Sequence, residues 1–124
     1  MNIIINTQGM VPIYEQIVDQ IKKSIYNEEL KEKDKLPSVR SLSNTLRISA
    51  LTVKKAYDAL EQEGLIITVH GKGSYIAPVD RNVVHEQQVK DIEKELSGIM
   101  KKARRSGLSN EDVLDIMKMI MEES

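Results

Sequence analysis

The side chains that could do chemistry in this chain are hydrogen-bond donors and cations rather than nucleophiles or metal ligands. The sequence has no cysteine, which excludes disulfides, thiolate metal sites and thiol nucleophiles. His70 and His85 are distant in sequence and show no metal-ligand spacing. No paired carboxylates, nucleophile-base pair or phosphate-loop motif occurs. We therefore expect no enzyme, no cofactor and no bound metal.

The remaining polar candidates lie between residues 35 and 75, where the charge is mildly basic. The whole chain has a net charge of −1, which by itself argues against an electrostatic nucleic-acid binder. This stretch nevertheless has more basic than acidic residues, and the excess acid lies elsewhere. The basic residues are Lys35, Arg40, Arg47, Lys54, Lys55 and Lys72, and the acidic residues are Asp58, Glu61 and Glu63.

Two short helices joined by a tight turn are predicted to position these side chains. Ser38 is placed as the N-cap of a helix that runs to about Leu46. The next three residues are too few for anything but a turn, and Ser49 is the N-cap of a second helix that ends before Gly64. The outward face of this second helix carries Leu51, Thr52, Lys54, Lys55 and Asp58.

A glycine-tipped hairpin follows the second helix. Residues 65–69 are apolar and β-branched, residues 70–73 form a loop, and residues 74–77 return as a second strand. This order predicts a winged helix-turn-helix, which delivers one helix into the DNA major groove. The fold class is therefore α+β, mostly helical, with a winged helix-turn-helix domain at 1–77.

The flanking segments supply a support helix before this domain and two helices after it. An apolar stripe on a helix from Pro12 to about Tyr26 completes the core, and residues 28–35 are expected to be a surface connection. Beyond Pro78, a heptad seam predicts a helix over about 81–105, and Ser109 caps another helix with a capping box. Residues 78–124 thus form an αα-hairpin that needs a partner surface. The residues expected to dimerise are Val89, Ile92, Leu96, Ile99, Ile116 and Ile120.

A set of short motifs runs in order across the first two thirds of the chain: Pro12-Ile13-Tyr14 followed by Gln16-Ile17, Leu36-Pro37-Ser38 with Arg40 and Leu42, Thr52-Val53 with Ala56-Tyr57, Leu60-Glu61 with Gly64-Leu65-Ile66, and Gly71 with Gly73-Ser74-Tyr75. With these motifs the chain resembles the GntR family of bacterial transcription regulators, and its short tail resembles the YtrA-type branch. The resemblance implies that Arg40, Thr52, Lys54 and Gly71 contact DNA. Secondary candidates are Ser49, Leu51, Lys55, His70 and Lys72.

Four positions depart from the family pattern. Lys33 stands where the family often has glycine, and Ser41 where it often has a glutamate that would complete a capping box. Both departures should cost stability rather than function. Ala50 and Leu51 lie at the start of the second helix, the one expected to enter the DNA major groove, where relatives commonly carry polar or basic side chains. Recognition of bases there would depend on apolar contact with thymine methyls, or it would be weaker than usual.

The leading hypothesis is a homodimeric, cytoplasmic transcription regulator, a repressor, that binds a palindromic operator in double-stranded DNA. The alternative is a winged-helix protein-interaction module without DNA binding. Several of these residues could also have a purely structural role. Lys54 and Lys55 could lie on an ordinary solvated face, and Arg40 could form an ion pair with a nearby carboxylate. Leu51 could lie at the edge of the core. No signal peptide or membrane segment is recognised, and the sequence leaves open whether a small-molecule effector exists.

Overall fold

The computed structural model describes residues 1–124 as five α-helices and one two-stranded sheet. The elements in chain order are α1 (Ile13–Tyr26), α2 (Val39–Leu46), α3 (Ala50–Gln62), β1 (Ile66–Val69), β2 (Gly73–Ile76), α4 (Arg81–Arg105) and α5 (Asn110–Glu123). They form two compact units, Met1–Asp80 (unit 1) and Arg81–Ser124 (unit 2). The predicted winged helix-turn-helix order is confirmed, and none of the helices is long and apolar enough to cross a membrane.

The core of unit 1 lies where α1 packs against α3, and α2 also packs against α3. The apolar stripe of α1 meets the buried stripe of α3, as the helical spacing predicts. The fully or almost fully buried residues of the two stripes are Ile17, Ile21, Ile25, Val53, Ala56, Tyr57 and Leu60. Tyr57 also donates from its hydroxyl to the carbonyl of Pro37 at 2.7 Å, and its burial raises its pKa to about 12. Tyr57 is thus a core residue that also connects α3 to Pro37, directly before the N-cap of α2.

Serine caps start α2 and α3, as predicted. The Ser38 hydroxyl accepts from the backbone N–H of Ser41 at 3.0 Å, and the Ser49 hydroxyl accepts from that of Thr52 at 3.1 Å. Between the helices, Arg47 ends α2 in the left-handed region with φ 56°. These caps and the left-handed residue mark where α2 ends and where α3 begins.

The hairpin pairs β1 with β2 in antiparallel register, from Ile66 opposite Ile76 to Val69 opposite Gly73. The expectation that residues 28–35 are only a surface connection is incomplete, because the end of this segment pairs with β2. The N–H of Ile76 donates to Asp34, and the N–H groups of Lys33 and Leu36 donate to Ile76 and Ser74, all at 2.9 Å. Polar composition does not reveal such backbone pairing. The connection is thus fixed to this hairpin, which is the wing of the winged helix-turn-helix.

The N-terminal residues 3–6 are held against α1 by two glutamine side chains, Gln16 and Gln20. The amide of Gln20 accepts from the N–H of Ile4 at 2.9 Å and donates to its carbonyl at 2.7 Å. The amide of Gln16 bonds the N–H and the carbonyl of Asn6 in the same way, at 2.8 and 2.9 Å. Ile3 and Ile5 pack against the core, so this segment closes one side of unit 1.

Unit 2 consists of α4 and α5 joined by a turn at Gly107, whose φ is 80°. The predicted capping box is confirmed: the N–H of Ser109 donates to the Asp112 carboxylate at 2.9 Å, and the N–H of Asp112 donates to the Ser109 hydroxyl at 3.1 Å. The two helices make little contact with each other beyond the turn. Only Val84 and Ala103 are buried in this unit, and no residue of α5 is.

Candidate nucleic-acid interface

The outward face of α3 carries a largely exposed leucine in its first turn. Leu51 is 79% exposed, so its interpretation as an edge residue of the core is wrong. The neighbouring Ala50 is exposed as well. A leucine that stays exposed contributes little free energy of burial to folding. It offers an apolar surface of the kind that can contact a thymine methyl.

Two hydroxyl groups lie together at the N-terminus of α3. The oxygens of Ser49 and Thr52 are 2.8 Å apart, and the Ser49 oxygen also accepts the N–H of Thr52. When Ser49 donates to Thr52, the Thr52 hydroxyl proton is free to donate outward, next to the positive end of the helix dipole. This pair can therefore present a hydrogen-bond donor to an anion.

Lys54 is not free, a point that the charge pattern alone missed. Its ammonium lies 2.9 Å from the carboxylate of Asp58, one turn further along α3, and both side chains are about 60% exposed. Such an exposed pair contributes little to stability. A phosphate could displace Asp58, but binding would then exchange one ionic contact for another. The i, i+4 spacing of Lys54 and Asp58 is the signal that could have predicted the pair.

Lys55 contacts an aromatic ring of α1. Its ammonium nitrogen lies 4.0 Å from the centroid of the Tyr14 ring, within the range of a cation–π interaction. The Tyr14 hydroxyl donates to the carboxylate of Glu15 at 3.3 Å, and the negative charge of Glu15 raises the pKa of Tyr14. Tyr14 and Lys55 are far apart in sequence, so no local pattern points to this contact.

Arg40 lies in the first turn of α2, and its side chain is exposed. It takes part in no ion pair, so the alternative that it merely pairs with a nearby carboxylate is wrong. Its guanidinium group keeps five N–H donors available for a phosphate or a base edge.

The tip of the wing is a tight turn closed by the N–H of Lys72, which donates to the carbonyl of Val69 at 2.9 Å. Gly71 has φ 78°, a conformation that favours glycine, and a Cβ at this position would meet nothing within 4 Å. His70, Gly71 and Lys72 are all exposed. The turn thus presents backbone and a lysine without any covering side chain.

Gly73, at the start of β2, was matched only as part of the family motif, and it too has a conformation that favours glycine. Its φ is 117°, and an added Cβ would lie 2.9 Å from Cε of Lys35. The same lysine extends toward the Tyr75 ring, with its nitrogen 6.0 Å from the ring centroid. Glycine is therefore favoured at this position by its positive φ, because the end of the Lys35 side chain is flexible and could move away from an added Cβ.

The residues expected to dimerise are all exposed. Each of the six is between 39% and 56% exposed, on α4 or on α5. Leu114, Met119 and Met121 add further exposed apolar surface on α5. No group of three histidine, aspartate or glutamate side chains in the structure could hold a metal ion.

The chain matches known regulators over most of its length. Residues 13–76 match the family described as bacterial regulatory proteins, gntR family. The HTH-type transcriptional repressor YtrA of Bacillus subtilis (strain 168) is 36% identical over 116 residues, which cover 94% of this chain and 89% of that protein. The family and this relative are transcription regulators and not enzymes.

Solved structures give the same assignment. The crystal structure of a transcriptional regulator from Oenococcus oeni is similar with a TM-score of 0.80 and 31% identity, covering 94% of this chain and 97% of that one. AraR(DBD) in complex with operator ORX1 is similar with a TM-score of 0.56 and 25% identity, covering 62% of this chain and 96% of that one. The chain therefore belongs to the GntR family of DNA-binding transcription regulators, among its short YtrA-type members.

Proposed function

We propose that this chain is a homodimeric, cytoplasmic repressor that binds a palindromic operator. The observation that carries the proposal is the uncovered apolar seam of unit 2. Its four α4 residues recur at intervals of three and four, and all are exposed. They are Val89, Ile92, Leu96 and Ile99. A second copy is the economical cover, because a two-fold interface uses the same surface twice and a two-fold dimer matches a palindrome.

The proposed DNA contacts lie on three elements of unit 1. Arg40 at the start of α2 would bind a phosphate or a guanine, and the Thr52 hydroxyl would donate to a phosphate. Lys54 would join them after leaving Asp58, and Leu51 would contact a base. At the wing tip, the backbone at Gly71 would approach the minor groove, with Ser49, Lys55, His70 and Lys72 as supporting contacts. Repression is supported by the similarity to YtrA, which is named a repressor.

The test begins with selection of duplexes from a random pool by the full-length protein. Two inverted half-sites about one helical turn apart, or a multiple, are expected among the selected sequences. Fluorescence anisotropy on the selected duplex should then show Arg40→Ala weakening affinity roughly tenfold. The slope of log affinity against log salt should decrease by about 0.9 for each phosphate that the variant no longer neutralises.

Lys23→Ala is the matched control, because it removes one exposed positive charge near the far end of α1 and should leave affinity close to wild type. Unchanged affinity in Arg40→Ala would remove Arg40 from the interface. Failure of the wild-type protein to select any sequence would favour the alternative, a winged-helix module that binds protein.

A further inference from the structure

Two polar contacts join α1 to α3, and they differ in kind. At one end, Lys22 of α1 forms an ion pair of 2.7 Å with Glu63, directly after α3. At the other end, Lys55 of α3 lies over the Tyr14 ring in the first turn of α1, 4.0 Å from its centroid. The first contact neutralises its lysine. The second holds its lysine against an uncharged ring.

Lys55 projects from the side of α3 opposite the core. The buried stripe of α3 contains Val53, Ala56 and Leu60, whereas Leu51 and Lys55 are one turn apart on the opposite face and are both exposed. Its stem therefore begins on the outward face, and its ammonium group ends at the α1 edge of that face.

We propose that Tyr14 is a positioning residue for DNA binding, which holds the Lys55 ammonium where it binds a backbone phosphate beside the recognition helix. The inference rests on the proposed use of α3 as the recognition helix. A ring-held ammonium keeps its full charge and its N–H donors, because a ring face accepts no proton and carries no net charge.

The two neighbouring lysines of α3 thus differ in what binding requires of them. Lys54 must leave Asp58 before it can pair with a phosphate, so its net gain is small. Lys55 has no carboxylate to leave, and the ring has already restricted its long side chain. Ordering a flexible side chain in advance lowers the entropy cost of binding, which raises affinity.

The experiment compares four variants of the full-length protein on the duplex selected by the wild type. Tyr14→Leu removes the ring face, Tyr14→Phe keeps it, Lys55→Gln removes the charge, and Lys22→Gln breaks the other contact between α1 and α3. Tyr14→Leu should lower DNA affinity about fivefold. Tyr14→Phe should retain wild-type affinity, since a phenyl face also binds cations. Lys22→Gln should leave affinity unchanged.

The decisive readout is the salt dependence. Lys55→Gln should reduce the slope of log affinity against log salt by about 0.9 per phosphate. Tyr14→Leu should shift the slope in the same direction, although it removes no charge, because it acts through Lys55. In the Lys55→Gln background, Tyr14→Leu should have no further effect on affinity or slope.

Four outcomes would overturn the inference: wild-type affinity in Tyr14→Leu, wild-type affinity in Lys55→Gln, additive effects in the double variant, or an equal loss in Lys22→Gln. The Arg40→Ala variant separates this inference from the proposed function. If Arg40→Ala weakens binding and Lys55→Gln does not, the positioning role is wrong and the proposed interface stands. If neither weakens binding, both fail.

Discussion

The two units of this chain treat their apolar side chains in opposite ways. Unit 1 buries the stripes of α1 and α3 against each other and closes a core of its own. Unit 2 buries only Val84 and Ala103 and leaves its seam uncovered. A domain that reads DNA must hold its donors in fixed positions by itself, whereas a dimerising segment has to keep its apolar surface for a second copy. The contrast predicts that damage to each unit affects a different property.

The largest effect is expected from Leu96→Glu in unit 2. It would place a glutamate from each chain in the proposed apolar seam, where neither charge has a partner. The dimer should dissociate, and operator affinity should fall far more than the stability of unit 1, because a single half-site binds weakly. Analytical ultracentrifugation measures the first effect and anisotropy the second.

Ser97→Glu is the matched control, because it adds the same charge at the next position, away from the seam. It should remain a dimer. A Leu96→Glu protein that is still a folded dimer would show that the partner surface lies elsewhere, and the contrast between the units would need another explanation.

The next effect is expected from Gly71→Val at the wing tip of unit 1. The position has φ 78°, which is costly for a β-branched residue, and the added side chain would stand between the backbone and DNA. Affinity should fall roughly tenfold while dimerisation stays intact. Gly71→Asn is the control for conformation, since asparagine tolerates positive φ. A wild-type footprint in Gly71→Val would exclude the wing from the interface.

A smaller effect, on the free energy of unfolding, is expected from a substitution at Lys33 in unit 1. Lys33 has φ 73°, a conformation that glycine adopts more readily than lysine. Lys33→Gly should raise the free energy of unfolding by roughly 0.5–1 kcal/mol, because glycine adopts this conformation without steric cost. Urea denaturation measures it. Lys31→Gly, where φ is not positive, should destabilise instead, and stabilisation by both would refute the conformational reason.

The smallest effect concerns the start of α5. The backbone N–H of Ser109, and then its side chain, lower the pKa of Asp112 from its ordinary value of 3.8. The folded state therefore favours the carboxylate, so this contribution is present above pH 3.8 and is lost as pH falls through the lowered pKa. The Cα chemical shifts of residues 110–113 should lose helical character in acid. In Asp112→Asn they should not change over the same range, and an identical acid response there would exclude Asp112.

What could be predicted from the sequence follows the range of the interactions involved. Helix starts at Ser38, Ser49 and Ser109 depend on residues three positions apart, so local spacing was sufficient. The contact of Lys55 with Tyr14 depends on how α1 packs on α3, and no periodicity encodes it. Backbone pairing of residues 33–36 with β2 was missed because main-chain hydrogen bonds leave no mark on side-chain composition.

The glutamine-held N-terminus has a consequence for solubility. The chain begins with a run of uncharged, β-branched residues, Ile3-Ile4-Ile5, which is the composition that pairs edge to edge and aggregates. Gln20 bonds both the N–H and the carbonyl of Ile4 within this run, and Gln16 bonds those of Asn6, directly after it. Backbone groups that are already bonded to these side chains are not available for pairing with a neighbouring molecule. The two amides thus reduce the number of backbone groups through which this segment could pair edge to edge with another molecule.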